Sequence, residues 1–427
     1  MLKVLFDATT LVDGDDMIEE RRGIYFVARK ILELFEESHK CQIILFASSY
    51  KFAGLEKIRL MLCPSASLLK TPSKATIVLH KIVTFFRRKR MDNFNKPLIR
   101  KFYALWLLLL NIFCFCSYFF INFFQKIDEN VVFFSPRTSA PWFLNRNKKI
   151  KKFVVLHDLI PYVLPEYANQ RHVGWFGYLT RTLNENDYYF AISEATKKDY
   201  CCFCNKIKED HVSVCHWAAD NRFKQHVDQL ELDYVLRKYQ IPTGKKFIFS
   251  LCTLEPRKNL LRTVVAFLKF VEKNNISDLL FVIGGGEWNN FKAELKKVFG
   301  NNSFEKHVMH IGYVDDEDLP VFYSFAQWFV FTSQYEGFGL PPLEAMQCGC
   351  PVITSNTSSL PEVVGDAGIM IDWDSDEQHV AAYEKYYFNE KLRKEYAQKG
   401  LERAKMFSWE KTIDTILKKM REVSGVV

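Results

Sequence analysis

YEGFGLPPLEAMQCGCPVITS, residues 335–355, is the stretch on which the fold turns. Gly337 and Gly339 allow a tight backbone turn. Pro341 and Pro342 suit the first positions of a helix, where a missing N–H costs nothing. Gly349 suits the C-terminal cap of that helix, ahead of the apolar run PVITS (351–355). The reading is loop, helix and strand in succession, with N–H groups around Gly339 and Leu340 opening a helix N-terminus suited to phosphate. Glu336 and Glu344 flank that terminus and can accept hydrogen bonds from sugar hydroxyls. The competing reading of Glu344 is a solvated acid in the first helical turn, where a carboxylate is favoured anyway.

Outward from this stretch, short apolar runs alternate with helix-sized segments. KFIFSLC (246–252), LLFVIGGG (279–286), HVMHIGYV (307–314), WFVFTS (328–333) and AGIMID (367–372) read as strands of one sheet. Leu260, Val264, Leu268 and Val271 mark the helix after the first of them. An earlier set, LKVLFDA (2–8), QIILFA (42–47), VVFFS (131–135), FVVLHD (153–158), YYFAIS (188–193) and VSVCHW (212–217), reads as a second sheet. Residues 9–23 read as a polar loop, followed by a helix from about Ile24 with Val27, Ile31, Leu32 and Phe35 on one face. Strands alternating with helices indicate parallel sheets covered on both faces. The expected class is α/β, with two Rossmann-like doubly wound domains facing across a cleft. The expected boundaries are 1–217, a polar linker 218–244 ending in Pro242 and Gly244, a second domain 245–405, and a last helix in 406–427 that returns to the junction.

A chain of 427 residues fits two domains of about 200 each. Its 48% apolar and 25% charged residues argue against extensive disorder. The 11 cysteines are odd in number, follow no secretory signal and lack paired zinc-knuckle spacings, so reduced thiols are expected. Cys201, Cys202, Cys204 and Cys215 with His211 and His216 are the one place for a metal, and their spacings match no closed zinc module. Most of the net charge of +8 lies between Lys81 and Lys101, where eight basic residues face one acid, Asp92. A single local patch is not the broad basic face of a nucleic-acid binder.

Phe102 to Gln125 carries no charge and is long enough to cross a bilayer. One crossing would put Gly23 and His157 on opposite sides, so a span is not expected. A basic run beside an aromatic run fits a helix lying on an anionic membrane surface; the alternative is a core helix beside a solvated charge run.

TLEPRKNL (253–260) places Arg257 and Lys258 after Pro256 at another strand-to-helix turn. Alone it is an exposed basic pair; with the other helix terminus it suits a diphosphate. His157 ends FVVL and is followed by Asp158, which can orient the ring. A strand-end histidine without further context is more often structural. Ser193 reads as a helix N-cap. Asp315–Asp318 and Asp372-Trp373-Asp374 read as solvated acids on surface loops. Gly284–Gly286 lacks the spacing of a dinucleotide fingerprint and reads as a loop lining the cleft, which removes a dinucleotide-dependent oxidoreductase.

On these residues the second half resembles retaining glycosyltransferase family 4 of the GT-B fold. The resemblance rests on Glu336 and Glu344 with Gly-Phe-Gly-Leu-Pro-Pro between them, EPRKN (255–259), GYV (312–314), SSLPEVVGDAG (358–368) and FSWE (407–410). It covers roughly 245–415, and HDLIP (157–161) is similar to bacterial polysaccharide and O-antigen mannosyltransferases. The resemblance implies a donor diphosphate held by Arg257 and Lys258 with the amides of Gly339 and Leu340, and Gly23 close to the same phosphates. It implies Glu344 on the ribose, Tyr313 and Val314 bordering the base, and Glu336 on the transferred sugar. His157 would face that sugar and the reacting centre. Configuration would be retained by a front-face route in which stabilising the leaving phosphate is the main work. The first loop departs from the pattern: Arg21-Arg22-Gly23-Ile24-Tyr25 has one glycine where relatives read Gly-Ile-Gly-Arg.

The resemblance thus implies a metal-independent transferase with no cofactor, moving a hexose, mannose first, from a nucleotide-sugar such as GDP-mannose. The acceptor would be a glycan on a lipid, the place the cytoplasmic face of the bacterial cell membrane, with an anionic membrane surface as a contact and no nucleic acid. The competing reading, a non-catalytic GT-B scaffold in a glycan-assembly complex, predicts loss of at least one of Glu336, Arg257, Lys258 and Glu344; all four are present.

Overall fold

The computed structural model describes residues 1–16, 23–47, 49–70, 73–93, 96–123, 127, 130–138, 140–141, 144, 147, 149–167, 173–174, 177, 180–253, 255–286, 289–299 and 303–426. Arg21 and Arg22 of the first loop, and Gln125 at the end of the apolar run, lie outside the described residues.

Two parallel sheets organise the chain. The first contains β1 (Leu2–Asp7), β2 (Cys41–Phe46), β3 (Ser67–Leu68), β4 (Val131–Ser135), β5 (Lys152–Leu156), β6 (Tyr188–Ala191) and β7 (Val212–Val214) in the order β3-β2-β1-β4-β5-β6-β7. The second contains β8 (Lys246–Leu251), β9 (Leu279–Gly284), β10 (Val308–Gly312), β11 (Phe329–Phe331), β12 (Val352–Ser355) and β13 (Gly368–Ile371) in the order β10-β9-β8-β11-β12-β13. This is the expected α/β class with two Rossmann-like sheets. The central strands are buried on both faces, as β4 and β9 are throughout, which is why they read as unbroken apolar runs rather than alternating ones. Each order reverses once, between β1 and β4 and between β8 and β11. Ligands of doubly wound sheets sit outside the carboxyl ends of the strands at such reversals.

Several local expectations change. Residues 9–23 are not simply a polar loop: Thr9–Asp16 is a helix, started by the Asp7 carboxylate accepting from the Thr9 N–H at 3.0 Å. The polar segment 218–244 holds the helix Gln229–Lys238, N-capped by Asp228, with Val235 and Leu236 buried. The two-residue strand β3 escaped the reading because SL carries no alternation to detect. Nor is the acidic run 315–318 simply solvated. Asp315 and Asp318 each accept from Lys238 Nζ at 2.6 Å, Asp318 also from the Tyr239 hydroxyl at 2.8 Å, and Asp318 is buried.

The crossover from β3 to β4 is unusually long. It contains the helices Lys74–Asp92 and Pro97–Phe123, which pack on each other as a hairpin through Val83, Leu107 and Cys114. Pro97–Cys114 is long and apolar enough to cross a membrane, yet only 11% of that window is buried, so it is not a core helix. Ile82, Phe85, Phe102, Leu105, Leu109 and Ile112 are among its exposed apolar side chains and those of its neighbour. The strands on either side of the hairpin, β1 and β4, are hydrogen-bonded partners, so one helix crossing a bilayer alone would tear the sheet apart.

The last helix, Trp409–Ser424, packs on the first half. Trp409 stacks on Trp217 at 5.4 Å between centroids, and Lys40 bonds Asp414 at 2.6 Å. Its neighbour Arg421 donates to the Lys40 carbonyl at 2.8 Å.

Candidate functional site

The reversal in the second sheet gathers the charged residues. After β8 the chain turns through Pro256–Lys258, and Asn259 takes a left-handed backbone (φ 58°) to start the helix Leu260–Lys273. After β11 it reaches Tyr335 and Glu336. The two loops are tied where the Gln334 N–H donates to the Arg257 carbonyl at 2.8 Å. Lys258 Nζ then lies 2.5 Å and Arg257 Nη1 3.3 Å from the same oxygen, Glu336 Oε1. Arg257 also donates to the Tyr335 carbonyl at 3.1 Å and to Glu255 at 2.9 Å. All three of Arg257, Lys258 and Glu336 are 12–13% exposed at their side chains, so this is not an exposed basic pair. A carboxylate facing two cations at low exposure makes a strong, directional electrostatic centre.

Beside it, Gly339 at φ 123° and ψ 49° precedes the helix Leu340–Gln347, with Pro341 and Pro342 in its first turn and Gly349 (φ 74°) after it. The positive φ demands glycine, and a Cβ at Gly339 would also push on the Leu360 methyl at 2.9 Å.

Glu344, in that helix, is partly buried. Its Oε2 accepts from the Tyr323 hydroxyl at 3.1 Å. Burial pushes its carboxyl up to about 7, which the Tyr323 hydroxyl and Arg222 oppose and Asp316 and Asp220 reinforce. Tyr313 is 75% exposed and, like Glu344, lies in the field of Asp316 and Arg222. Val314 is buried against Gly284 instead, where a Cβ would meet it at 2.8 Å.

His157 and Asp158 follow β5. His157 Nε2 lies 2.8 Å from the Pro136 carbonyl, which can only accept, so Nε2 carries the hydrogen and Nδ1 the lone pair of the neutral ring. Burial lowers the affinity of the ring for a second proton, against the Pro136 carbonyl and Asp158. Burial raises the Asp158 carboxyl; the Ile160 N–H, His157 and Arg257 oppose this and Glu336 reinforces it. Asp158 therefore lies in the field of the cation centre. The halves touch here: a Cβ on Gly337 would meet Asp158 Cβ at 2.7 Å.

Other contacts close the same junction. Ser193 caps the helix Glu194–Phe203, accepting from the Thr196 N–H at 3.0 Å, and the Ser193 and Thr196 hydroxyls both donate to the Gly337 carbonyl. The Tyr335 hydroxyl donates to Asp199, whose carboxyl burial pushes up to about 6. Glu362 accepts from the Glu194 N–H at 2.9 Å with both oxygens and bonds His216.

The structure thus brings together Arg257, Lys258, Glu336 and Gly339 with Asp158 beside His157, and separately Glu344 with Tyr323. Gly23 begins the helix Gly23–Ser38, exposed, with no atom within 4 Å of an added Cβ. Arg222, Tyr323, Asp199 and Glu362 were missed. Each acts through a partner far along the chain, which no local spacing signals. Among the described residues no three His, Cys, Asp or Glu lie close enough to hold a metal.

The family model for Glycosyl transferases group 1 matches residues 235–403. O-antigen chain mannosyltransferase B of Escherichia coli is 31% identical over 276 residues, 64% of this chain and 70% of that protein. Serotype-specific mannosyltransferase WbdA of Escherichia coli is 28% identical over 296 residues, 68% of this chain, which spans 35% of that longer protein. The crystal structure of Anabaena Alr3699/HepE in complex with UDP-glucose superposes over 100% of both chains with a TM-score of 0.61 at 13% identity, a likeness of fold. One expectation is overturned: the matching model is that of group 1, not family 4, while the relation to bacterial mannosyltransferases stands.

Proposed function

The chain belongs to the group 1 glycosyl transferases, and from that premise we propose that it moves a hexose, mannose first, from a nucleotide-sugar to a glycan acceptor. The observation that carries the proposal is the meeting of Arg257 and Lys258 on Glu336 beside the Gly339 turn, with Asp158 packed on Gly337. Arg257, Lys258 and the amides of Gly339 and Leu340 receive the donor diphosphate and stabilise it as it leaves, an electrostatic task for preorganised charges. Glu344 accepts from the ribose hydroxyls beside Tyr313 and Val314. Glu336 holds hydroxyls of the transferred sugar. His157, neutral and with Nδ1 as its acceptor, receives a sugar hydroxyl across the cleft, and Gly23, at the start of the helix Gly23–Ser38, comes close to the donor phosphates.

Paired to two cations, Glu336 is a poor nucleophile, which favours a front-face route with retention and no covalent sugar–enzyme intermediate. Neutralisation of the diphosphate by side chains and amides assigns no task to a metal or other cofactor. Mannose is chosen because the relatives named above are mannosyltransferases. Their O-antigen and serotype roles support a glycan of the bacterial surface as product, built on a lipid at the cytoplasmic face of the membrane. The exposed apolar hairpin beside its basic residues supports peripheral contact with an anionic bilayer.

The test is a thermal-shift and hydrolysis screen with GDP-mannose, UDP-glucose, UDP-N-acetylglucosamine and UDP-galactose in the presence of EDTA. One nucleotide family should stabilise the protein, and an Arg257→Ala, Lys258→Ala double variant should lose the response. No response to any nucleotide would return the chain to the scaffold reading.

A further inference from the structure

Asp158 does not orient the His157 ring, the role that its position beside that residue suggests. His157 Nε2 donates to the Pro136 carbonyl at 2.8 Å, and among the described residues no bond joins Asp158 to the imidazole. Asp158 Oδ1 accepts from the Ile160 N–H at 3.3 Å, at the start of the short helix Ile160–Val163. Its Oδ2 has no donor among the described residues, and no cation among them pairs with it. Arg257 and Lys258, the nearest candidates, are both drawn onto Glu336 Oε1. A carboxylate can accept about four hydrogen bonds. Half-buried and holding one long bond, Asp158 is costly to keep charged unless a ligand brings the missing donors.

Packing defines which ligand that is. A Cβ on Gly337 would lie 2.7 Å from Asp158 Cβ and 3.4 Å from its Cα. Gly337 directly follows Glu336, so one carboxylate from each sheet borders the same point of the junction. A diphosphate held by Arg257 and Lys258 would be repelled by a carboxylate beside it, whereas a neutral group rich in hydroxyl hydrogens would not. The donors that reach the Glu336 carboxylate converge on Oε1, which leaves Oε2 without one among the described residues. His157 Nδ1 carries a lone pair as well. The atoms left without partners here are all acceptors, the complement of sugar hydroxyls.

We infer that Asp158 is a specificity residue for the donor sugar: its Oδ2 accepts from a hydroxyl of the transferred hexose, opposite Glu336. The inference rests on the glycosyl-transfer reading and deepens it. A carboxylate in that place selects a neutral hexose with a free hydroxyl there. It rejects a sugar that lacks the hydroxyl or brings a negative charge of its own.

The experiment measures binding to the full chain by calorimetry, with no acceptor present. The probes are GDP, GDP-mannose and the 2-, 3-, 4- and 6-deoxy analogues of GDP-mannose, or UDP and the matching glucose series where the nucleotide screen selects uridine. Asp158→Ala is the variant of choice because it keeps the Cβ that packs on Gly337. It should bind GDP as the wild type does and GDP-mannose about tenfold more weakly, the scale for a hydrogen bond to a charged group. One deoxy analogue should show the same loss in the wild type and no further loss in the variant, since hydroxyl and carboxylate are each other's partner. Asp158→Asn, which keeps an acceptor oxygen, should recover part of the affinity. A merely structural role would weaken GDP and all four analogues alike. Unchanged GDP-mannose affinity in Asp158→Ala, a parallel loss of GDP, or additive losses for all four analogues would each overturn the inference. If neither GDP nor UDP binds the wild type, the transfer reading falls and the inference with it; if either binds, those outcomes strike the inference alone.

Discussion

The Ser193 hydroxyl donates to the Gly337 carbonyl at 2.7 Å, joining residues 144 apart in sequence and one on each side of the cleft. The same oxygen caps the helix Glu194–Phe203, so one fully buried atom serves a helix start and a domain contact. Ser193→Ala should cost about 1–2 kcal/mol of stability from the lost cap and bond. Urea denaturation reads the stability; a rise in donor KM reads the loosened contact. Threonine should restore most of both.

Gly337→Ala tests the closeness of the halves more directly. The added methyl would meet Asp158 at 2.7 Å, inside any real contact, and the backbone there has no positive φ to confuse the result. The expected result is a junction forced open: a larger radius of gyration by X-ray scattering, and kcat/KM lower by about two orders of magnitude, as a misplacement of about 1 Å can cause.

Glu344 predicts opposite pH trends for stability and binding. Its folded carboxyl titrates at about 7, above the ordinary 4.5, because burial disfavours the charge. The folded state then holds more protons than the unfolded one between those values, so its contribution to stability falls as pH rises through that window. With Glu344 in its proposed role as acceptor for the ribose, nucleotide binding should instead strengthen as pH rises through about 7. Glu344→Gln should flatten both profiles, and a 2′,3′-dideoxynucleotide should flatten the binding profile alone.

Removing Glu336 charge should separate stability from catalysis. Glu336→Gln leaves Arg257 and Lys258 facing each other at low exposure without their carboxylate. Ligand-free stability should drop by about 3 kcal/mol, the scale for a broken buried pair. Nucleoside diphosphate should recover much of the loss by supplying negative charge, while kcat stays low.

The hairpin should bind vesicles in proportion to their anionic content. Each basic residue near such a surface contributes about 1 kcal/mol. Sedimentation with phosphatidylglycerol vesicles should fall steeply with salt. Phe102→Ser with Leu109→Ser, both exposed, should abolish it and leave nucleotide binding intact.

Much of this architecture was legible in the sequence. The central strands are apolar runs, and Gly339, Pro341, Pro342 and Gly349 each announce a backbone state that local chemistry alone requires. Arg257 and Lys258 were readable as cations at a turn, but that both reach one oxygen of Glu336 depends on two strands lying adjacent in an order that periodicity does not encode. Tyr323 is a buried aromatic, and its hydroxyl on Glu344 emerges only from packing. The helix Thr9–Asp16 stayed hidden because its acidic, glycine-bearing sequence has poor helical propensity and relies on Asp7 to start it.

The long crossover also orders the birth of the protein. Asp7 at the end of β1 and Ser135 at the end of β4 are 128 residues apart, and everything between them leaves the ribosome before the sheet can close. At about 5–20 residues per second the apolar hairpin is exposed for seconds without a folded half behind it. A bilayer that received the hairpin in that interval would protect it from self-association and anchor β1–β3 while β4 is made. Overexpression that outruns the available lipid surface should yield aggregates seeded by the hairpin, which its serine variants would escape.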